Sequence, residues 1–174
     1  MKAQFWSFDI IFAIVLFVFA VVLLTLVWTD ISGEFSISYS GNLAHMQSQL
    51  QSLGTQLLST GTPSNWNLAL NLSSEGTWQN LSVGLGNGTS GALSQGKINS
   101  LYNMSNTNYQ VTKQSLGIAY EYYITFSTTG VAIGRNPATT NVTSIQSLSL
   151  PVVINGVPSR MQIQLWSNST LSIE

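Results

Sequence analysis

Few side chains in this sequence are equipped for chemistry. There is one histidine, His45, and no cysteine, which excludes disulfides, thiolate metal sites and thiol nucleophiles. Between residues 35 and 173 the only acids are Glu75 and Glu121, and nothing near either in sequence suggests a role, so each reads as a solvated charge. His45 has neither a second histidine nor a neighbouring carboxylate, so it lacks the donor set of a metal site and reads as a surface or flank residue. Acid–base and covalent mechanisms need such groups in clusters. A non-enzymatic role with no cofactor and no metal is the expectation. The string Gly86-Asn-Gly-Thr-Ser-Gly91 matches G-x-G-x-x-G. A dinucleotide site would need a buried strand before it, a helix opening at the loop and an acid roughly twenty residues on. The pattern around Gly86 offers none of these, and the segment reads as a flexible turn.

The elements that carry these residues follow from composition. Of 174 residues, 44% are hydrophobic and only 6% charged, against about 25% charged in an ordinary soluble domain. Five Trp, six Tyr and seven Phe are too many for a disordered chain. The composition divides into one apolar segment and a polar but foldable remainder, long enough for a single domain with a real core. Net charge is −1 and the five Lys and Arg are dispersed, so nucleic acid has no basic patch to bind.

Residues Ile10 to Trp28 are apolar except for Thr25. As a helix this run is about 28 Å long, close to the hydrocarbon thickness of a bilayer. A cleaved secretory signal has a shorter core and a small-residue cleavage site, whereas here the run ends in Trp28-Thr29-Asp30. Lys2 precedes the run, and Asp30 and Glu34 follow it, which by the positive-inside rule puts the N-terminus in the cytoplasm and residues 30–174 outside. Six N-x-[ST] sequons, headed by Asn71, Asn80, Asn87, Asn103, Asn141 and Asn168, agree with an outer, glycan-accepting surface.

Beyond the apolar run, Tyr39, Leu43, Met46, Leu50, Leu53 and Leu57 are spaced alternately by four and three, an amphipathic helical stripe over 39–58 weakened by Gly41 and Gly54. Such a stripe packs on its own globular domain, between subunits of a filament, or both, since a long helix has room for each. On the filament reading, Leu50→Asp abolishes filaments and leaves the isolated outer domain folded. Gly61-Thr62-Pro63 ends the helix, since proline neither continues it nor tolerates helical geometry before it. This gives a helical region, 1–60, and an outer domain, 61–174.

Within the outer domain, Trp66–Leu70 and Gln79–Val83 read as short strands or irregular structure. Residues 92–117 read as helical, with Asn106 or Asn108 capping a second short helix that ends at Gly117. Tyr120–Phe126 is aromatic and β-branched, a strand that turns at Thr129-Gly130 into Val131–Ile133. Ser144–Ile154 and Val157–Trp166 flank Asn155-Gly156, a strong hairpin signal. Met161, Ile163 and Leu165 alternate with Gln162, Gln164 and Trp166, predicting one buried and one largely polar face. The fold class is α+β: a long N-terminal hydrophobic helix followed by a small domain rich in antiparallel β structure.

The start Lys2-Ala3-Gln4-Phe5-Trp6-Ser7-Phe8-Asp9, leading into the apolar run, resembles the class III signal peptide of archaeal type IV pilin-like proteins. Gly61-Thr62-Pro63-Ser64-Asn65-Trp66, followed by Leu93, Lys97-Ile98, Leu101, Asn108-Tyr109, Lys113 and Leu116-Gly117-Ile118, is similar to a domain of archaeal secreted and pilin-like proteins, and the hairpin ending in Trp166 fits the same pattern. The resemblance covers most of the chain. It implies cleavage by a prepilin peptidase between Ala3 and Gln4, although glycine is the more usual residue before the cut. It also implies insertion in the cytoplasmic membrane, then assembly by dedicated machinery into a homopolymeric surface filament. The helix residues Ile10, Phe12, Leu16, Phe19, Leu23 and Trp28 would lie in the core, with the globular domain exposed for adhesion. In pilins an acid at the fifth mature position neutralises a neighbour's terminal amine. Here that position is Phe8, and the acid, Asp9, is the sixth. The alternative is a non-filamentous, membrane-anchored binding module or accessory (minor pilin) subunit.

Overall fold

The computed structural model describes the backbone of residues 4–168, and the side chains over that range except at 4–9, 28–41, 75 and 79. The chain falls into two compact units, Met1–Asn42 and Leu43–Glu174. One helix, α1 (Gln4–Leu58), runs through the boundary. The second unit begins at Leu43 and takes in the last four turns of α1.

The reason is the stripe. Met46, Leu50, Leu53 and Leu57 are all buried, and they form one core with the sheet and the shorter helices. Of the two places such a stripe could pack, the domain's own core holds these four residues, while Leu43 is half-buried at its edge. Leu50 retains only 3% exposure, so a carboxylate introduced there would sit in the core of the second unit. Gly54, a weak point of the stripe by helix propensity, lies where the helix crosses the sheet. A Cβ added there would stand 2.7 Å from Leu148 Cδ2 and 3.3 Å from Leu150 Cδ1.

After α1 come a helical turn, α2 (Trp66–Ala69), a 3₁₀ turn (Glu75–Asn80), a two-residue strand, β1 (Ala92–Leu93), and two helices, α3 (Gln95–Thr107) and α4 (Tyr109–Ser115). The strands β2 (Glu121–Phe126) and β3 (Ala132–Gly134) follow, then a second 3₁₀ turn (Pro137–Thr139) and the long hairpin β4 (Val142–Ile154) and β5 (Val157–Asn168). The sheet order is β1-β4-β5-β2-β3. β1 pairs parallel with β4 and the other neighbours pair antiparallel. The hairpin turn is Asn155-Gly156, both at positive φ (52° and 80°), the geometry that lets a two-residue turn match strand twist.

Asn108 separates α3 from α4 and caps the latter, its Oδ1 accepting from Val111 N at 3.1 Å. Gly117, at φ 68°, follows the end of α4. Of the two alternatives for Trp66–Leu70 and Gln79–Val83, the structure has irregular turns and not strands: Trp66 and Trp78 are buried, and their indole N–H groups donate to Gly84 O (2.7 Å) and Asn71 O (3.0 Å), which folds this segment into turns around its two anchors. Two expectations need correction. Ala92 and Leu93 are not helical, since Gly91 O accepts from Val153 N at 2.8 Å and draws the segment alongside β4. Trp166, expected on the polar face of β5, is 1% exposed, its Nε1 reaching Arg135 O at 3.4 Å. The segment after β3 covers that end of the face.

Candidate functional site: the apolar helix and the domain's hold on it

The residues from Ile10 to Val27 form a helix long and apolar enough to cross a membrane, and none of that stretch is buried. Phe17 is 69% exposed and Leu24 72%. Eighteen residues at 1.5 Å rise span about 27 Å. Thr25, the one polar residue in the stretch, donates its hydroxyl back to Val21 O at 2.8 Å, so it presents no unpaired donor to an apolar surrounding. Ile10, Phe12, Leu16, Phe19 and Leu23 are all exposed. Ala3 lies outside the described residues, as do the side chains of Gln4, Asp9 and Trp28.

Within the second unit, the domain takes hold of the C-terminal end of α1. The last carbonyls of any helix lack intrahelical partners, and here the loop at 82–86 supplies one at Leu57 and, with a lysine, ties down the residues that follow α1. Leu85 N donates to Leu57 O at 2.8 Å, and Gly86 N to Ser59 O at 2.7 Å. Thr62 and Ser82 exchange two backbone bonds, of 2.8 and 2.9 Å. The approach is close enough that a Cβ on Gly84 would run into the backbone of Ser59 and Gly61. Only glycine fits there.

Lys97 completes the arrangement. It enters from the first turn of α3, is 6% exposed, and donates from Nζ to Thr60 O at 2.6 Å and to Gly86 O at 2.8 Å. Burial lowers its pKa from the ordinary lysine value. One partner, Thr60 O, is a carbonyl just past the C-terminal end of α1, where a helix carries partial negative charge, and the other, Gly86 O, belongs to the loop drawn up against it. Reading the sequence did not single out Lys97 beyond its place in the family pattern. The available signal was a cation beside Ile98 in a chain with only five Lys and Arg.

Further back along α1, Gln49 Oε1 accepts from Ala119 N at 3.1 Å, and His45 Nδ1 lies 3.2 Å from the Tyr120 hydroxyl. His45 is exposed on the flank of the stripe, where it ties α1 to the segment entering β2.

Glu121 is not a solvated charge. Its carboxylate takes Lys113 Nζ at 2.8 Å and Arg135 Nη1 at 3.3 Å, with its side chain 14% exposed. Burial alone would raise its pKa, but hydrogen bonds from Lys113 and Tyr109 and the two nearby cations outweigh it and hold the carboxyl below its usual value. Arg135 also lies over the Tyr109 ring at 4.4 Å, and that ring stacks on Tyr122 at 5.0 Å. The Tyr122 hydroxyl donates to Ser105 Oγ at 3.0 Å, and burial pushes its pKa up to about 12. Burial raises Tyr109 as well. This network joins α3, α4, β2 and the segment after β3. Its carboxylate is held ionised and its phenols protonated, the opposite of groups poised to exchange protons near neutrality. The side chain of Glu75 lies outside those described.

Among the described residues, no three His, Asp or Glu side chains gather as metal donors. The Gly86–Gly91 loop is followed by β1 and α3 but preceded by no strand of the sheet. Asn71, Asn80, Asn87, Asn103, Asn141 and Asn168 are all exposed. Compared with known proteins, the chain matches no family model, no curated protein and no solved structure.

Proposed function

We propose that this chain is a structural subunit of an extracellular, type IV pilus-like filament, held in the cytoplasmic membrane by its N-terminal helix before assembly. The domain faces outward, and the helix packs with its copies in the filament core. One observation carries this reading. The stretch Ile10–Val27 buries nothing, while every buried apolar side chain among the described residues lies at Met46 or beyond. A domain with its own core and a helix without one calls for a second apolar environment, first lipid and then other helices. Cleavage between Ala3 and Gln4 by a prepilin peptidase, dedicated assembly machinery and adhesion by the uncharged exterior are parts of the same proposal, and rest on the resemblance of residues 2–9 to a class III signal peptide. The offset of Asp9 favours a second reading, a subunit or binding module that stays anchored without forming a fibre.

The test is the mass of the N-terminal peptide in protein from the native cell envelope, together with microscopy of material sheared from the cells. A peptide beginning at Gln4, in chain recovered from sheared fibres, is the expected result. A peptide beginning at Met1, in chain that remains wholly in the detergent-soluble membrane fraction, overturns the filament reading in favour of the anchored one.

A further inference from the structure

We propose that Asn71 and Asn87 are acceptors of N-linked glycans and that Asn103 is not, because the fold presents the first two sequons and buries the recognition half of the third. The inference rests on the outward-facing domain proposed above. A sequon is read as a pair, the carboxamide of the asparagine and the hydroxyl two residues later. In an asparagine turn the carboxamide oxygen accepts the N–H of that same second residue, which brings the two halves together and leaves Nδ2 free.

Among the described residues, two sequons adopt that turn. Asn71 Oδ1 accepts from Ser73 N at 3.0 Å, and Asn87 Oδ1 accepts from Thr89 N at 3.0 Å. Both asparagines and both hydroxyl residues are exposed. Each turn is pinned from behind, Asn71 by the Trp78 indole on its carbonyl and Asn87 by its own N–H donating to Ala92 O at 3.0 Å. Asn87 also borders a polar depression of about 290 Å³ shared with Ser94, Gln95 and Asn155. A sugar ring on Nδ2 has polar surface to lie against there and no core to displace.

Asn103 differs in kind. It lies inside α3, and its partner Ser105 is 6% exposed, with Oγ accepting from the buried Tyr122 hydroxyl at 3.0 Å. The asparagine is outside and the hydroxyl is in the core. At Asn80 the second residue's N–H is taken by Thr62 O at 2.9 Å, so this turn is not made.

The reaction requires a lipid-linked oligosaccharide carried on a polyisoprenyl phosphate, and a membrane transferase. The Asn Nδ2 forms a bond to the anomeric carbon as the bond from that carbon to the phosphate oxygen breaks. The phosphate leaves with the electron pair, and one Nδ2 proton passes to a base of the transferase. The turn orients the carboxamide and does not activate it. That part belongs to the transferase.

The experiment uses full-length chain from membranes of its own cells, with glycopeptides located by mass. Because the chain has no cysteine, a Gln110→Cys variant reports sidedness in intact cells through a membrane-impermeant maleimide. The expected result is a labelled chain with glycan at Asn71 and Asn87 and none at Asn103. Asn71→Gln and Asn87→Gln each then remove one glycan mass, Thr89→Val removes the Asn87 glycan with its carboxamide intact, and Ser105→Ala removes none. A labelled chain bare at Asn71 and Asn87, or carrying glycan at Asn103, overturns the assignment and leaves the outward orientation standing. An unlabelled chain without glycan overturns both.

Discussion

The two halves of α1 are the same helix under opposite rules. From Ile10 to Val27 every large apolar side chain faces out, whereas from Met46 to Leu57 the apolar residues are confined to one stripe and that stripe is buried. Burial of a leucine is worth about 1.5–3 kcal/mol, and the second half takes that stabilisation from its own domain. On the proposed function, the first half takes it from lipid and then from other helices. The same substitution should therefore fail in two different ways. Leu50→Asp replaces a core side chain with a charge. The expected cost is on the order of 5 kcal/mol, comparable to the whole stability of a small domain, and thermal unfolding of the full chain in detergent should lose its cooperative transition. Leu16→Asp should leave that transition where it is. It should instead cost roughly 3 kcal/mol of membrane insertion, read as a shift of the chain from the membrane to the soluble or degraded fraction. If Leu16→Asp also melts the domain, the division between the halves is wrong.

The domain's hold on the C-terminal end of α1 can be weakened without altering a side chain of the apolar stretch or of the stripe. Lys97→Met keeps the length of the side chain and removes both of its hydrogen bonds, leaving Thr60 O and Gly86 O without it. A buried acceptor stripped of a charged donor loses about 2 kcal/mol. The denaturant midpoint should fall accordingly with its slope unchanged, since the core stays the same size. Recovery of the midpoint by Lys97→Arg would require a longer, forked group to fit the same two carbonyls, and the tight 2.6 Å contact to Thr60 O argues against it.

These sites differ in how far the sequence disclosed them. The apolar run, the stripe, the Asn155-Gly156 hairpin and a cap at Asn106 or Asn108 were legible because each is a local pattern whose physics acts over a few residues. The place where the stripe packs was not, since a period of three and four residues specifies a buried face and not what buries it. Lys97 and Glu121 were opaque for a related reason. Lys97 meets Thr60 across 37 residues, and Arg135 meets Glu121 across 14 with a strand turn between them. A charge with no neighbour in sequence looks solvated until the fold brings its partners. Trp166 reversed its expected face because the segment around Arg135 covers one end of a strand face that alternation alone predicts to be polar.

The smallest expected effect lies in the Glu121 network, and its sign is fixed by the direction of the shift. The folded chain holds this carboxyl below its ordinary value of 4.5, so the unfolded chain binds its proton first as pH falls. Stability from Glu121 is then fully present above 4.5 and is lost as pH drops through the depressed folded value. Unfolding midpoints measured from neutral to acid pH should decline across that window in the native chain, and Glu121→Gln should flatten this part of the profile while costing about 1 kcal/mol at neutral pH. The apolar half of α1 contains no titrating side chain between Ile10 and Val27, so membrane association should stay level over the same range. A parallel loss of both would mean that the domain's fold and the helix's hold on lipid are one equilibrium rather than two.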